Sequence, residues 1–205
     1  MSRPPAKAAP ARPAAHRGAG EVRIIGGQWK RQRLTVPERP GLRPTPDRVR
    51  ETLFNWLGQD LTGWRCLDAF AGTGALGLEA ASRGAAEVLL VEQDAGLAAS
   101  LQQQRERLQA ANVRVQRGDG LVALQRSPAA SLHLVLLDPP FGQAALFAPA
   151  LAAAVPALAA DGFIYLEAPQ RWDDAALAAQ GLQLYRHLKA GAVHAHLLQR
   201  LPLAI

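Results

Sequence analysis

The sequence is short of cysteine and of long uncharged apolar runs. With one cysteine, Cys66, in 205 residues, the chain can form no intramolecular disulfide. Cys66 lies inside an apolar strand pattern, which favours a buried, unreactive thiol in the reducing cytoplasm. The longest uncharged apolar run, residues 144–160, is shorter than the roughly 20 residues that a membrane-spanning helix needs. Because Pro149 and Pro156 interrupt this run, we expect a bent, buried helix and no membrane contact.

Acidic residues are scarce at the N-terminal end. Residues 1–50 contain twelve Lys and Arg but three acids, a charge of +9. The remaining 155 residues contain eleven basic and fourteen acidic residues, a charge of −3. This asymmetry indicates a polyanionic partner that is reached through the first 50 residues, and a solvated tail that only aids solubility is the alternative. The same end has no apolar segment typical of a secretory signal.

Residues 1–20 lack any hydrophobic periodicity. They are mainly Ala, Pro, Arg and Gly, which cannot bury enough apolar surface to order the chain, so we predict a disordered basic tail. Residues 21–44 are predicted to form a small β-hairpin and a linker. The hairpin has a strand at 22–25, a Gly26-Gly27 turn and a returning strand at 28–36. We assign residues 45–205 to a single domain.

The predicted hairpin combines cations with an aromatic ring. Its returning strand carries Trp29, Lys30, Arg31 and Arg33. Lysine and arginine bind phosphates, and an indole can stack on an unpaired base, so this combination suits single-stranded RNA. We therefore interpret the hairpin as an RNA-binding extension.

A helix is predicted to begin at residue 45. Thr45 suits the N-cap, Pro46 the first helical position, and Asp47 the first turn, where an acid is favourable. Val49 and Leu53 fall on one face of this helix, which predicts that it packs on the domain.

From residue 64 onward, strand and helix patterns alternate. The strands are apolar or β-branched runs at 65–70, 86–92, 113–117, 132–138 and 162–167, and the helices lie at 76–83, 95–110, 120–127, 143–159 and 172–179. Continuous apolar strands separated by helices predict a parallel sheet covered on both faces. The last two strands, at 182–189 and 192–200, leave no room for a helix and predict an antiparallel hairpin.

The turn after the first of these strands indicates a cofactor. Gly72-x-Gly74-x-x-Gly77 matches the dinucleotide-binding fingerprint, so a nicotinamide-dependent oxidoreductase has to be considered. Asp68, however, places a carboxylate at the strand tip. It would repel a pyrophosphate but attract an ammonium or a sulfonium, the two cationic groups of S-adenosylmethionine. The turn therefore favours S-adenosylmethionine.

Two further acids follow the next two strands. Glu92 can accept both hydroxyl hydrogens of a ribose, and Asp119, in Gly118-Asp119-Gly120, can accept an adenine amine. Ligands of open α/β sheets bind at the carboxyl ends of the strands, where both residues are predicted to lie. A surface acid at a strand end is the alternative for each residue taken alone.

The motif Asp138-Pro139-Pro140-Phe141 ends the fourth strand of this series. The double proline stiffens the backbone. The Asp138 side chain and the Pro139 carbonyl can then hold both hydrogens of an exocyclic amine, so that its lone pair points at a methyl donor. Phe141 can stack on the target base once that base has left its helix.

These motifs together resemble a known family. Asp68-x-Phe-Ala-Gly-Thr-Gly with the Asp138 motif resembles class I S-adenosylmethionine-dependent amino-methyltransferases. Residues 25–30 (IGGQWK), 42–57 (LRPTPDRVRETLFNWL) and 67–80 (LDAFAGTGALGLEA) closely resemble the RsmD family of bacterial 16S rRNA guanine-N2 methyltransferases. The similarity spans about residues 22–200. Pro46 replaces the second threonine of the family motif, so any hydroxyl contact there is lost.

The resemblance implies a fold, a substrate and a partner. It implies that residues 45–205 form a Rossmann-like S-adenosylmethionine-dependent methyltransferase domain. The seven-stranded sheet of this domain is mostly parallel, with its last strand antiparallel and helices on both faces. It also implies a helix start at Thr45–Arg50 that caps the cofactor site. The implied substrate is a guanine N2 amine in the 16S rRNA of a partly assembled small ribosomal subunit. Nothing in the sequence demands a dimer, and we expect a monomer.

The candidate site residues fall into three groups. The catalytic candidates are Asp138, Pro139, Pro140 and Phe141. The cofactor candidates are Thr45, Arg48, Asp68, Phe70, Ala71, Gly72, Gly74, Glu92, Gln93, Asp119 and Gly120. The RNA candidates are Trp29, Lys30, Arg31, Arg33, Arg43 and Phe141.

Metal and other activities are less favoured. His194 and His196 are interpreted as strand-surface residues, because no acidic or cysteine partner is near them in the sequence, and methyl transfer from a sulfonium needs no metal. The alternatives that remain are an N6-adenine or N4-cytosine methyltransferase, the oxidoreductase, and a non-catalytic RNA-binding scaffold. The Asp138 motif suits any exocyclic amine, so only the resemblance at the N-terminal end favours guanine.

Overall fold

The protein is organised around one large sheet with a small hairpin beside it. A computed structural model describes residues 21–37, 39 and 44–202. The predicted tail at 1–20, and Arg43 among the RNA candidates, lie outside the described residues. The hairpin pairs β1 with β2, and the large sheet has seven strands in the order β5-β4-β3-β6-β7-β9-β8. Its elements are β1 Glu21–Arg23, β2 Arg33–Thr35, α1 Asp47–Trp56, β3 Arg65–Asp68, α2 Ala75–Ser82, β4 Glu87–Glu92, α3 Ala95–Arg107, β5 Val113–Arg117, α4 Gly120–Arg126, β6 Leu132–Leu137, α5 Phe147–Ala157, β7 Leu158–Ala168, α6 Asp174–Ala179, β8 Leu182–Ala190 and β9 Val193–Arg200.

The predicted fold class is confirmed. Strands β3 to β7 pair in parallel, and β9 is antiparallel to both β7 and β8. Alternate residues of the central strands enter two separate cores. Cys66, Leu134 and Tyr165 face the core beneath α1 and α2, whereas Leu67 and Val135 face the core beneath α4 and α5. Burial on both faces explains why these strands read as continuous apolar runs.

One predicted boundary was displaced by several residues. The helix expected at 143–159 is a single 3-10 turn at Ala144–Leu146 followed by α5, and the next strand begins at Leu158 rather than 162. Leu158 pairs with Leu132, after which the register shifts across a bulge. A buried helix and a buried strand that follow each other form one apolar run, so periodicity alone cannot locate the junction between them.

The N-terminal hairpin is shorter than predicted. Its paired strands contain three residues each, and the segment 24–32 forms a long connection with bends and turns rather than a tight Gly26-Gly27 turn. The backbone N–H of Gln28 donates to the Ser82 carbonyl at 2.8 Å, and that of Trp29 donates to the Ser82 hydroxyl at 2.9 Å. The connection is therefore held by the end of α2, which the sequence pattern did not indicate.

The helices of the described residues were compared in length and hydropathy with a membrane-spanning helix. None of those within 21–37, 39 and 44–202 combines the length and the apolar character that a bilayer-spanning helix requires.

Candidate active site

Five acidic residues lie at the carboxyl ends of neighbouring strands. Asp68 ends β3, Glu92 ends β4, Asp119 follows β5, Asp138 follows β6, and Glu167 is the penultimate residue of β7. Since β5, β4, β3, β6 and β7 are consecutive in the sheet, these acids share one edge. Four of them were predicted from the sequence, and Glu167 was not.

The glycine turn between β3 and α2 has the backbone that its sequence requires. Gly72 and Gly74 have φ values of 51° and 77°, a region that favours glycine. A Cβ at Gly74 would lie 2.5 Å from the Leu101 side chain, so no larger residue fits without a shift. The Asp68 carboxylate accepts the Gly77 N–H at 3.0 Å and thereby ties the strand tip to the first turn of α2.

Asp68 is almost completely buried, with 2% of its surface exposed. Burial raises the pKa of Asp68 to about 7, and the carboxylates of Glu92 and Glu167 add to this, while the N–H groups of Gly77 and Phe70 oppose it. A cation beside Asp68 would reverse this balance and favour the charged form. The turn therefore carries a carboxylate with an electrostatic preference for a positive ligand.

Glu92 holds the glycine turn from the neighbouring strand. One of its oxygens accepts the Gly72 N–H at 2.8 Å, and the other accepts the Asp94 N–H at 2.8 Å. Each carboxylate oxygen retains a lone pair for a further hydrogen bond. Gln93, the next residue, is exposed, whereas Phe70 is partly buried and Ala71 is buried just before Gly72.

Asp119 has a structural role that the sequence analysis did not assign. It is the N-cap of α4, where one oxygen accepts the Leu121 and Val122 N–H groups at 2.7 and 3.3 Å. A Cβ at Gly120 would lie 2.1 Å from the Ala69 carbonyl, so the exit of β3 packs directly against the start of α4. Close packing thus brings Asp119 to the same edge as the glycine turn.

The Asp138 motif leaves β6 at this edge. Asp138 is partly buried and Pro139 is buried, whereas Pro140 and Phe141 are exposed, Phe141 by 37%. Burial raises the pKa of Asp138 well above its usual range, and the charges of Glu167 and Asp68 raise it further. The motif therefore combines a carboxylate that binds a proton more readily than usual with an exposed aromatic ring three residues later.

Glu167 forms a buried cluster with one residue of its own strand and one from the segment that precedes α1. Its Oε1 accepts the Thr45 hydroxyl at 2.6 Å and the Tyr165 hydroxyl at 2.9 Å. Burial raises the pKa of Glu167, and both hydroxyls oppose that shift. An acid at the end of a predicted strand is the signal that had identified Glu92, and the same rule would have found Glu167.

The N-terminal cap predicted for α1 was wrong. The helix begins at Asp47, and Pro46 occupies the cap position without a side-chain hydrogen bond. Thr45 is buried, and its hydroxyl binds Glu167 instead of the helix N–H groups. Arg48, on the first turn of α1, is exposed.

A buried ion network joins the hairpin to α1 and α2. Glu79 of α2, fully buried, accepts the backbone N–H groups of Ile25 and Gly26 at 2.8 and 2.7 Å. It also pairs with Arg50 at 3.2 Å and with Arg83 at 2.9 Å. Periodicity gave no indication of these contacts, because the partners are distant in the chain.

Arg50 extends this network to the start of α1. Its guanidinium, also fully buried, donates to the Thr45 carbonyl at 3.2 Å, the Arg23 carbonyl at 2.8 Å and the Asp47 carboxylate at 2.7 Å. The hairpin, the glycine-turn helix and the segment around Thr45 are thus held by one set of charges.

The predicted RNA residues occupy different environments. Lys30 and Arg31 are exposed, whereas Trp29 is partly buried against the core. Arg33 is exposed and pairs with Glu21 at 3.0 Å. Lys30 and Arg31 lie in the connection between β1 and β2, not in the predicted returning strand.

The interpretation of the histidines requires a correction. His196 is fully buried, not on the strand surface. Its Nε2 accepts the Trp172 N–H at 3.1 Å, and burial lowers the pKa of His196 to about 4. His194 packs beside His187, with their ring nitrogens 3.0 Å apart. The Nδ1 of His196 lies 3.3 Å from the Leu166 carbonyl, so both ring nitrogens of His196 have a partner.

Comparison with known proteins places the chain in a family. A family model described as "Conserved hypothetical protein 95" matches residues 22–199. Ribosomal RNA small subunit methyltransferase D of Escherichia coli K12 is 49% identical over 126 residues, which are 62% of this chain and 63% of that protein. The sequence match thus spans less than two thirds of that relative.

Solved structures match over a larger share. A putative methyltransferase from Escherichia coli superposes with a TM-score of 0.75 and 38% identity, covering 88% of this chain and 98% of the other. A putative methylase from Haemophilus influenzae gives a TM-score of 0.72 and 32% identity, covering 89% and 100%. Together with the match over residues 22–199, these similarities show that the chain belongs to the family described as Conserved hypothetical protein 95 and confirm its resemblance to the RsmD family.

Proposed function

We propose that this protein transfers a methyl group from S-adenosylmethionine to the N2 amine of a guanine in 16S rRNA of an assembling small ribosomal subunit. One observation carries the proposal. The Asp138 motif and the Asp68 glycine turn leave the adjacent strands β6 and β3 at the same edge of the sheet. An amine-holding motif therefore lies beside a turn that suits a cationic cofactor.

The residues present fit S-adenosylmethionine by their chemistry. The groups around the turn are acceptors and anions, namely the carboxylates of Asp68, Glu92 and Asp119. An ammonium, a ribose diol and an adenine amine are the donors that such a set can bind, whereas these carboxylates would repel a pyrophosphate. When bound, the cofactor supplies a methyl carbon on a sulfonium, and a C–N bond forms as the C–S bond breaks. The cofactor candidates named from the sequence keep this proposed role.

Asp138 is given two tasks in this reaction. With the Pro139 carbonyl it holds the two amine hydrogens, which orients the nitrogen lone pair. Because the pKa of Asp138 is raised, its carboxylate can also take the proton that the amine loses. Phe141, exposed at the edge, provides a surface on which the displaced base can stack.

The N-terminal hairpin is the proposed RNA contact. Lys30 and Arg31 are exposed cations next to the partly buried Trp29. The buried network around Glu79 holds this segment on α2, so its charges have a defined position relative to the glycine turn.

The reaction can be tested on ribosomal particles. The protein is incubated with isotope-labelled S-adenosylmethionine and small subunits from a bacterial strain that lacks the endogenous enzyme, and the nucleosides are analysed by mass spectrometry. We expect label in N2-methylguanosine. Label in N6-methyladenosine or N4-methylcytidine would assign the protein to another exocyclic amine, and absence of labelled nucleoside would overturn the proposal.

Glu92→Ala is expected to weaken cofactor binding. A carboxylate that accepts two ribose hydroxyls contributes about 1.5–3 kcal/mol, so the Kd for S-adenosylmethionine should rise about 10- to 100-fold in calorimetry. Glu87→Ala is the matched control, because Glu87 is exposed at the other end of β4. An unchanged Kd for the Glu92 variant would remove its ribose role. Thermal unfolding without cofactor separates this effect from loosening of the turn.

Substitution of Lys30 and Arg31 by Ala is expected to weaken RNA binding and reduce its salt dependence. Each lost phosphate contact on single-stranded RNA lowers the slope of log K against log salt by about 0.7. Arg114 and Arg126, which are exposed on β5 and α4, provide a control that removes the same charge. If the slope equals that of the control variant, Lys30 and Arg31 do not contact the RNA phosphates and are ordinary solvated surface residues.

A further inference from the structure

Glu167 lies beside the amine-holding Asp138. In the parallel pairing of β6 and β7 the last pair is Leu137 with Leu166, and Asp138 and Glu167 are the residues that follow it. Side chains alternate along a strand, so Glu167 lies on the same face as Tyr165, and the charge of Glu167 acts on Asp138, in keeping with two neighbouring carboxylates. Glu167 is 2% exposed, and within the described residues both of its hydrogen bonds fall on Oε1. Oε2 is the acceptor that remains.

Of the three amine-bearing bases, guanine alone has a ring donor next to the amine. Its N2 amine lies between N1–H, a donor, and N3, an acceptor. In adenine the N6 amine is flanked by N1, and in cytosine the N4 amine is flanked by N3, both of which are acceptors. A second carboxylate beside the amine site therefore complements guanine and repels the lone pairs of the other two bases.

We propose that Glu167 is the residue that selects guanine, by accepting the N1–H of the base whose N2 amine is held by Asp138 and Pro139. This assignment rests on the proposed guanine-N2 activity and explains a choice of base that the Asp138 motif alone cannot make. A buried acceptor that is left facing a lone pair cannot be satisfied, so such a site discriminates strongly.

The partners of Glu167 suit this task. Burial raises the pKa of Glu167, and the Thr45 and Tyr165 hydroxyls, which donate to Oε1, oppose that shift and favour the charged, accepting form. They also fix the orientation of the side chain, because Thr45 precedes α1 and Tyr165 is fully buried in β7. The Glu167 side chain is thus held in one orientation in a place that has little access to water.

A base analogue changes the N1 position. 2-Aminopurine keeps the 2-amine of guanine but has an acceptor at N1 and no oxygen at C6, so the response of its kcat/KM to a substitution at Glu167 separates the effect of N1 from that of the missing oxygen. The target guanosine is replaced by 2-aminopurine riboside in 16S rRNA prepared by splinted ligation and assembled into particles. For the wild-type protein we expect kcat/KM to be at least about 100-fold lower on the analogue than on guanine.

Glu167→Gln is expected to change the preference, not only the rate. A glutamine amide can donate to the N1 acceptor of 2-aminopurine, so the guanine-to-analogue ratio of kcat/KM should fall at least about 10-fold. Tyr165→Phe keeps the ring and removes one donor to Glu167. The guanine-to-analogue ratio of kcat/KM should fall in this variant as well. Asp161→Asn, an exposed acid on β7, is the control and should leave the ratio unchanged.

The outcomes separate this assignment from the proposed function. If the wild type accepts both bases equally, or if Glu167→Gln and Tyr165→Phe lower both rates by the same factor, the role of Glu167 is overturned while guanine methylation stands. If the wild type methylates no guanine N2 at all, the function itself has failed and this assignment fails with it. A lower guanine-to-analogue ratio of kcat/KM in Glu167→Gln, with an unchanged Kd for S-adenosylmethionine, supports the assignment.

Discussion

Asp138→Ala is expected to lower kcat for RNA methylation about 1,000-fold and to leave the Kd for S-adenosylmethionine nearly unchanged. The variant keeps the glycine turn, whose contacts come from Asp68 and Glu92, so the proposed cofactor site persists. It loses the acceptor that orients the amine and takes its proton, and removal of such a group costs about 10²–10⁴ in rate. Single-turnover methylation and calorimetry measure the two quantities.

Two further variants sharpen this test. Asp161→Ala removes an exposed acid from the same sheet and should retain full activity. Asp138→Asn keeps an acceptor oxygen but cannot take a proton, so we expect an activity between those of the wild type and the alanine variant. Wild-type turnover in Asp138→Ala would show that the motif is not catalytic.

The same substitution should also show how much the buried, ionised Asp138 lowers the stability of the fold. Burial raises the pKa of Asp138 in the folded protein above its value in the unfolded chain. Ionisation at neutral pH therefore destabilises the fold, whereas below the unfolded pKa, about 4, both states are protonated and the cost disappears. Asp138→Ala should unfold at a higher temperature than the wild type at pH 8, with the difference shrinking toward pH 4. An equal difference at both pH values would contradict this explanation.

Glu79→Ala is expected to produce the largest loss of stability. It leaves Arg50, fully buried, and Arg83, 8% exposed, without their shared carboxylate. Removing one partner of a buried ion pair costs about 3–5 kcal/mol, which lowers the Tm of a chain of this size by roughly 10 °C. Two backbone N–H groups of the hairpin also lose their acceptor. Thermal unfolding measures the effect.

Release of the hairpin gives a second measure of the Glu79 contact. In Glu79→Ala, trypsin should cut at Lys30 and Arg31 faster than in the wild type, because the segment has lost its anchor on α2. Glu51→Ala removes an exposed acid from α1 and should change neither the Tm nor the cleavage rate. A Tm within about 2 °C of the wild type for Glu79→Ala would show that the network contributes little.

Much of the fold could be predicted because its signals are local. Apolar runs separated by helical patterns predicted the central parallel strands, and the absence of a helix between 182–189 and 192–200 predicted the antiparallel hairpin. The glycine turn was equally legible, since Gly72 and Gly74 occupy the backbone conformations that their residue type suggests. The start of β7 at Leu158 was not predicted, because the buried helix and the buried strand on either side of this boundary are both apolar.

The sequence by itself determined the sheet, the glycine turn and the Asp138 motif, because each depends on residues that are neighbours in the chain. The tertiary structure alone decided which distant side chains meet. It paired Thr45 with Glu167 across 122 positions and joined Ile25 to Glu79 across 54. A buried carboxylate takes whichever donors the packing brings to it, and no local pattern specifies those donors. Glu167 could have been noted from the sequence as an acid at a strand end, but its position next to Asp138 depends on the pairing of β6 with β7.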